Sequence, residues 1–407
     1  MSWSAATLGD VVERDGGLIQ TGPFGSQLHQ SDYVTEGIPV IMPKDIADGR
    51  IDADSVARVS EQTASRLSRH QLQPRTIVLP RRGEITKRAF IREDQTGWLC
   101  GTGCLQIVLD GKHLLPEYLY YYMEQQEVAG WLEQHAVGTT MLNLSAAIVT
   151  ELPLKYPAPA VQCRIADILS AYDDLIENNR RRMALLEEAA RQLYREWFVR
   201  LRFPGHEHTS VTNGVPKGWE RVPTPDAIEV NPTTRLSDEV EHWSVEMADL
   251  PTDSMVIQQA TKRESRSGSK FRNGDTLFAR ITPCLENGKT AFVDFLDNGE
   301  AARGSTEFIV LRARRVTPEY VYCLARTHDF RGNAIKSMIG SSGRQRVQES
   351  CFEKFLVLIP PRTLLTLFTD FVRPHFQQIK TFHAQNQKLR AARDLLLPRL
   401  MNGEIVV

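Results

Sequence analysis

"PEYLYYYM" (residues 116–123) returns as "PEYVYCLA" (318–325), and the interval of 202 residues between the two holds well beyond them. At the same interval Lys87, Ala89 and Phe90 meet Lys289, Ala291 and Phe292, and "IVL" at 107–109 meets "IVL" at 309–311. Gly138 meets Gly340, Glu151 meets Glu353, Leu154 meets Leu356 and Pro159 meets Pro361. One constant shift, kept from residue 87 to residue 159, identifies a tandem duplication. The chain also begins twice. Trp3 and Asp10 stand seven apart near the N-terminus, and Trp219 and Asp226 repeat that pair inside "GVPKGWERVPTPDAIEV" (214–230).

Each half has the same internal order. Short apolar runs such as "TIVLPR" (76–81) and "DTLFAR" (275–280), broken by Gly and Pro, read as strands. A short helix opens on the Pro-Glu-Tyr motif, where Pro suits the first turn. Glycine-bearing loops follow, "VGTTMLNLS" (137–145) and "IGSSGRQRV" (339–347), then the strands "TELPLKYPAP" (150–159) and "EKFLVLIPP" (353–361). These lead into long helices. No Pro or Gly interrupts Ala160 to Val199, and apolar residues recur there every seven. At ~1.5 Å per residue this is a rod of ~60 Å. In the second copy Phe368, His375, Phe382, Leu389 and Leu396 lie seven apart, and Pro374 is expected to kink or split the helix. An apolar seam of that length needs a partner, so the two helices are expected to pair antiparallel through Ile168, Tyr172, Leu175, Leu186 and Leu193 on one side. Phe368, Phe382, Leu389 and Leu396 supply the other.

A chain of 407 residues can hold two or three domains, and 42% hydrophobic with 24% charged residues describes a globular protein. No apolar run of about 18 residues is present, and the N-terminus lacks a basic segment followed by an apolar core; the expectation is a cytoplasmic protein with reduced thiols. Of the six cysteines only Cys100 and Cys104 are close, with no second ligand pair, so no metal site is expected. The net charge of −1 hides local clusters. Arg75, Arg81, Arg82, Lys87, Arg88 and Arg92 face only Glu84, and seven basic residues lie between Lys262 and Lys289.

The halves diverge at 13–60 and 229–270, so a shared frame carries two unlike recognition regions. Two such regions joined by long helices suit two unlike half-sites on duplex DNA separated by an unread gap. The chain resembles the specificity subunits of type I restriction–modification systems. The resemblance rests on "GLIQTGPFGSQL" (17–28), "YREWFVRLRFPG" (194–205), "VPKGWE" (215–220) and "LLLPRLMNGEI" (395–405) on a duplicated chain. It implies an α/β (α+β) fold with two target-recognition domains in pseudo-two-fold tandem, separated by two long antiparallel helices forming a coiled coil. The expected divisions are 1–159, a spacer helix at 160–202, a linker and second domain at 203–361, and a second spacer helix with the tail at 362–407. The resemblance also implies a bacterial or archaeal source, double-stranded DNA as ligand, and two methylation subunits and restriction/translocase subunits as partners. S-adenosylmethionine would be bound by the methylation partners, and ATP and Mg by the nuclease partner.

No catalytic constellation accompanies these features. "NPTT" (231–234) lacks the second proline of an adenine methyltransferase motif, and "ENGKT" (286–290) has Pro283 where a phosphate loop needs glycine; it reads as a turn with Lys289 facing DNA. The chain therefore reads as non-enzymatic, with a protein-binding tandem-repeat scaffold as the alternative. For phosphate contacts the candidates are Arg81, Arg82, Lys87 and Arg88 in the first half and Lys270, Arg280 and Lys289 in the second. The glycine-bearing loops offer Thr139 and Thr140 against Ser341 and Ser342. For base edges the candidates are Arg344, Gln345 and Arg346, with Gln20, Ser26, Gln27 and Lys44 in the first half.

Overall fold

The repeated Pro-Glu-Tyr motif forms a helix in both places, Pro116–Tyr122 and Pro318–Ala325, in a computed structural model that describes residues 3–47, 49–53, 56–236, 241–264, 267–341 and 343–407. Proline opens each helix, where it has no intrahelical bond to lose. Tyr118 and Tyr320 are fully buried, and each hydroxyl donates to a main-chain carbonyl of the strand that precedes a long helix. The acceptors are Lys155 O (3.3 Å) and Leu358 O (2.6 Å).

The chain divides into two compact units, one formed by the residues up to Asp174 with Leu389–Val407, the other by Leu175–Lys388. In the first, an antiparallel sheet orders Leu18–Thr21, Cys104–Val108, Ile77–Pro80 and Ala89–Phe90. In the second the same order is Ile228–Val230, Phe308–Ala313, Thr276–Ala279 and Thr290–Phe292. Small two-stranded sheets explain the double beginning. Ser4–Thr7 pairs antiparallel with Pro153–Tyr156, and Glu220–Pro223 pairs with Leu356–Ile359, so each opening segment closes onto the strand leading to a long helix.

The regions that share little sequence nevertheless share backbone. Ile38–Ile41 lies between Leu99–Cys100, parallel, and Ala57–Val59, antiparallel. His242–Val245 lies in the same way between Ala301–Gly304 and Thr261–Arg263. After each central strand a carboxylate closes a 3-10 turn: Met42 N–H donates to Asp45 Oδ2 (2.8 Å) and Glu246 N–H to Asp249 Oδ2 (2.7 Å). The sheets differ in their fourth strand. Tyr33–Val34 joins beside Ala57–Val59 in the first unit, whereas Ser269–Arg272 joins beside Ala301–Gly304 in the second.

The long helices run Pro159–Tyr194, ending in a π turn at Arg195–Val199, and Arg362–Met401. The expected break at Pro374 is absent. Pro374 is exposed, so the main-chain acceptor it leaves unmatched is on the solvent side and the helix continues. Within the second unit the helices are antiparallel. Asn179 Nδ2 donates to Asn386 Oδ1 (2.9 Å), the Arg182 guanidinium lies 5.7 Å from the Phe382 ring centre, and Tyr194 meets Phe368 at 6.1 Å. Within the first unit Ile165 and Leu169 share a core with Leu397 and Leu400, and Arg393 pairs with Asp173 and Glu124. The expected seam needs one correction. Leu175 is 52% exposed and its neighbour Ile176 is buried, because a helix of 3.6 residues per turn drifts against a seven-residue count. Phe368 and Phe382 are buried; Ile168, Tyr172, Leu186, Leu193, Leu389 and Leu396 are half-buried.

Candidate nucleic-acid interface

Arg81 and Arg280 follow equivalent strands, and in each unit the glycine-bearing loop folds back across that arginine. Leu144 N–H donates to Arg81 O and Val347 N–H to Arg280 O, both at 2.8 Å. Gly83 N–H then donates to Leu142 O (3.3 Å) and Thr282 N–H to Gln345 O (3.0 Å). The loops are themselves closed hairpins, with Val137 and Asn143 exchanging main-chain bonds of 3.0 and 2.9 Å and Ile339 and Arg346 exchanging two of 3.0 Å. Gly138 and Gly340 make the bend possible, at φ of 115° and 140°. A Cβ on Gly138 would come within 2.4 Å of Met141 O, and one on Gly340 within 2.9 Å of Arg344 O.

The two arginines at the hairpin roots are placed alike. In both, Nε is buried and has no hydrogen-bond partner among the described residues. Their terminal nitrogens reach Asn143 Oδ1 (3.5 Å) and Glu349 Oε1 (3.4 Å). Around them stand exposed Arg82, Thr139 and Thr140 in the first unit, and exposed Ser341 and Arg344 in the second. Arg346 is half exposed and forks onto Glu307 at 2.6–3.0 Å, and that hydrogen bonding holds the Glu307 carboxyl below the usual range. Guanidinium forks, hydroxyls and main-chain N–H groups together form a surface able to take phosphate oxygens and base edges.

The remaining candidates divide by what already holds them. Arg88 turns inward, with its side chain 10% exposed; it pairs with Glu124 at 2.9 Å, donates to Tyr120 O at 2.8 Å and stacks on the Tyr120 ring. Lys289, expected to face outward, donates instead to Met247 O (2.6 Å) and Ala248 O, fastening the 3-10 turn of its own unit. Lys87 pairs with Glu84 at 2.5 Å. Gln27 Oε1 accepts from Phe24 N–H (3.2 Å), and the Gln345 main chain is bound to Thr282. Gln20 is half-buried in its strand, Lys270 is half-buried on Ser269–Arg272, and Lys44 and Ser26 are exposed. Ser342 lies outside the described residues, as does Arg266 of the second basic cluster. Cys100 is fully buried, and burial pushes its thiol up to about 12.

Residue types other than the polar ones mark the same hairpins. Val137 (68% exposed), Met141 (61%) and Ile339 (67%) project from them, and Phe24 (54%) lies 5.8 Å beneath the Arg81 guanidinium. Val137, Met141 and Ile339 stood inside the quoted loops and Phe24 inside "GLIQTGPFGSQL", but apolar side chains give no hydrogen-bonding signal.

Comparison with known proteins gives this geometry its class. Residues 2–188 match the family described as type I restriction modification DNA specificity domain. Over 429 residues, 100% of this chain and 94% of the relative, the sequence is 24% identical to the Type I restriction enzyme MjaIX specificity subunit of Methanocaldococcus jannaschii. It is 30% identical over 156 residues to the Type I restriction enzyme EcoEI specificity subunit of Escherichia coli, spanning 37% of this chain and 26% of that relative. The fold is similar to that of the crystallised type I restriction-modification system S subunit from M. genitalium, with a TM-score of 0.54 and 14% identity, covering 98% of this chain and 96% of the other. These matches bear out the resemblance to type I restriction–modification specificity subunits read from the motifs, with the DNA specificity domain placed on residues 2–188. Among the described residues no helix is long and apolar enough to cross a membrane.

Proposed function

We propose that this chain recognises a bipartite, asymmetric DNA target, with one half-site read by each unit and the gap set by the two long helices acting as a coiled-coil spacer. The observation that carries this reading is the doubled hairpin: each unit presents a glycine hairpin folded over a root arginine with a buried, unmatched Nε. The three-strand frame beside it repeats while its side chains and fourth strand do not. Such a device contacts phosphates in the same way twice and reads bases differently each time.

In this reading the chain performs no chemistry of its own. Two methylation subunits carrying S-adenosylmethionine modify adenine at the target, and restriction/translocase subunits using ATP and Mg cleave DNA. The antiparallel contacts inside each unit support the spacer role, since a polar pair such as Asn179–Asn386 holds one register against others. Removing one matched heptad from both helices tests it. The gap between half-sites should shorten while both half-sites keep their sequence; an unchanged gap rejects the spacer.

A further inference from the structure

Val137 and Ile339 occupy the same place in the two units, at the base of the glycine hairpin, and are exposed to nearly the same degree, 68% and 67%. Each is pinned by a reciprocal pair of main-chain hydrogen bonds and followed by a glycine at positive φ. A β-branched side chain on a paired backbone has little rotational freedom, so each projects in a fixed direction. One exposed aliphatic residue is ordinary on a protein surface. Two at equivalent positions, in loops whose other exposed described residues are Gly, Ser, Thr and Arg apart from Met141, form a repeated feature. In the first unit exposed Met141 on the same hairpin adds a second apolar side chain.

Charge beside these residues identifies what they meet. Arg81 and Arg82 flank the first, and Arg280, Arg344 and Arg346 flank the second. An apolar point set among guanidinium groups matches a ligand with an apolar interior between anionic rails, and the stacked bases of duplex DNA have that form.

We propose that Val137, with Met141, and Ile339 are wedges that press into the base stack at one step of each half-site, while the neighbouring exposed Arg82 and Arg344 hold the phosphates. The proposal rests on the DNA reading given above and adds to it an apolar contact that hydrogen-bond readout does not supply. Threonine in place of valine or isoleucine keeps the β-branch and the hairpin but puts a hydroxyl where a methyl would stack.

The test uses the full chain assembled with its methylation partners. The probes are duplexes bearing the motif found by methylation mapping, with 2-aminopurine placed in turn at each step of one half-site. The unsubstituted complex should raise the fluorescence at one step per half-site. Val137→Thr should abolish the rise in the first unit's half-site only, Ile339→Thr in the other only, each weakening specific binding about tenfold. Neither should change the slope of affinity against salt, because no charge is lost. Unaltered fluorescence and affinity in both variants would overturn the proposal. So would a loss of affinity accompanied by a shallower salt slope, which would mean that these residues only support the arginines. A complex that binds no duplex at all would instead bring down the DNA reading on which the wedge depends.

Discussion

Asn179 and Asn386 form a buried polar contact between the long helices, at 7% and 5% exposure, and replacing them by leucine tests what that contact does. Asn179→Leu removes the donor to Asn386 Oδ1 and leaves a buried acceptor unmatched, at a cost of ~1–3 kcal/mol. Asn386→Leu removes both the acceptor for Asn179 and the bond to Ile176 O (3.2 Å). The Ile176 carbonyl lies inside a helix and keeps its main-chain donor, so the cost again comes from one orphaned amide, ~1–3 kcal/mol. With both replaced, no polar group is stranded and apolar area is added, so the double variant should fall within ~1 kcal/mol of the parent or above it. Thermal melting of the full chain measures this, with about 2–4 °C expected per kcal/mol for a unit of this size. Each single variant should melt lower and the double should recover. If the double loses the sum of the two single losses, the amides are not acting as one coupled contact, and the argument for register fails.

Phe368, fully buried with rings of Tyr194, Trp197, Phe198 and Tyr320 around it, should cost ~3–5 kcal/mol on truncation to alanine, seen as a lower urea midpoint. Arg88→Ala should destabilise the first unit by ~1–3 kcal/mol through its lost bonds to Glu124 and Tyr120, while leaving the salt slope of DNA binding unchanged. Arg82→Ala should do the reverse, reducing that slope by about 1 with no change in melting temperature, because Arg82 is exposed and has no ion pair among the described residues. Asp15 supplies a pH test. Burial works to raise its pKa, but hydrogen bonds from the His113 N–H and ring and from Leu114 N–H outweigh it, so the carboxyl titrates below the usual range. Its contribution is therefore complete above the unfolded value of about 3.9 and lost as pH falls through the lower folded value. The stability gap between the parent and Asp15→Asn, measured by urea unfolding, should narrow below about pH 4.

Much of the architecture was legible because duplication preserves side chains that pack. Tyr118 and Tyr320 bind the same strand in both units, and their motif is the clearest repeat in the chain. The shared three-strand frame was not legible, because strands pair through main-chain groups that leave no sequence trace; only Asp45 and Asp249, each closing the turn after its strand, offered a signal. The hairpins could be found from their glycines. Which arginines remain available could not, since Arg88 meets Glu124 and Arg346 meets Glu307 across 36 and 39 residues of chain. Lys289 was turned inward by carbonyls of a segment that sequence comparison treated as unrelated.

The account as a whole rests on two reading units serving one target, and methylation mapping of a host genome with and without this gene measures that directly. The account predicts that the gene adds methylated adenines within a single motif of two unlike defined segments separated by an undefined stretch of constant length. A motif with one uninterrupted segment, or a methylation pattern unaffected by the gene, would contradict it.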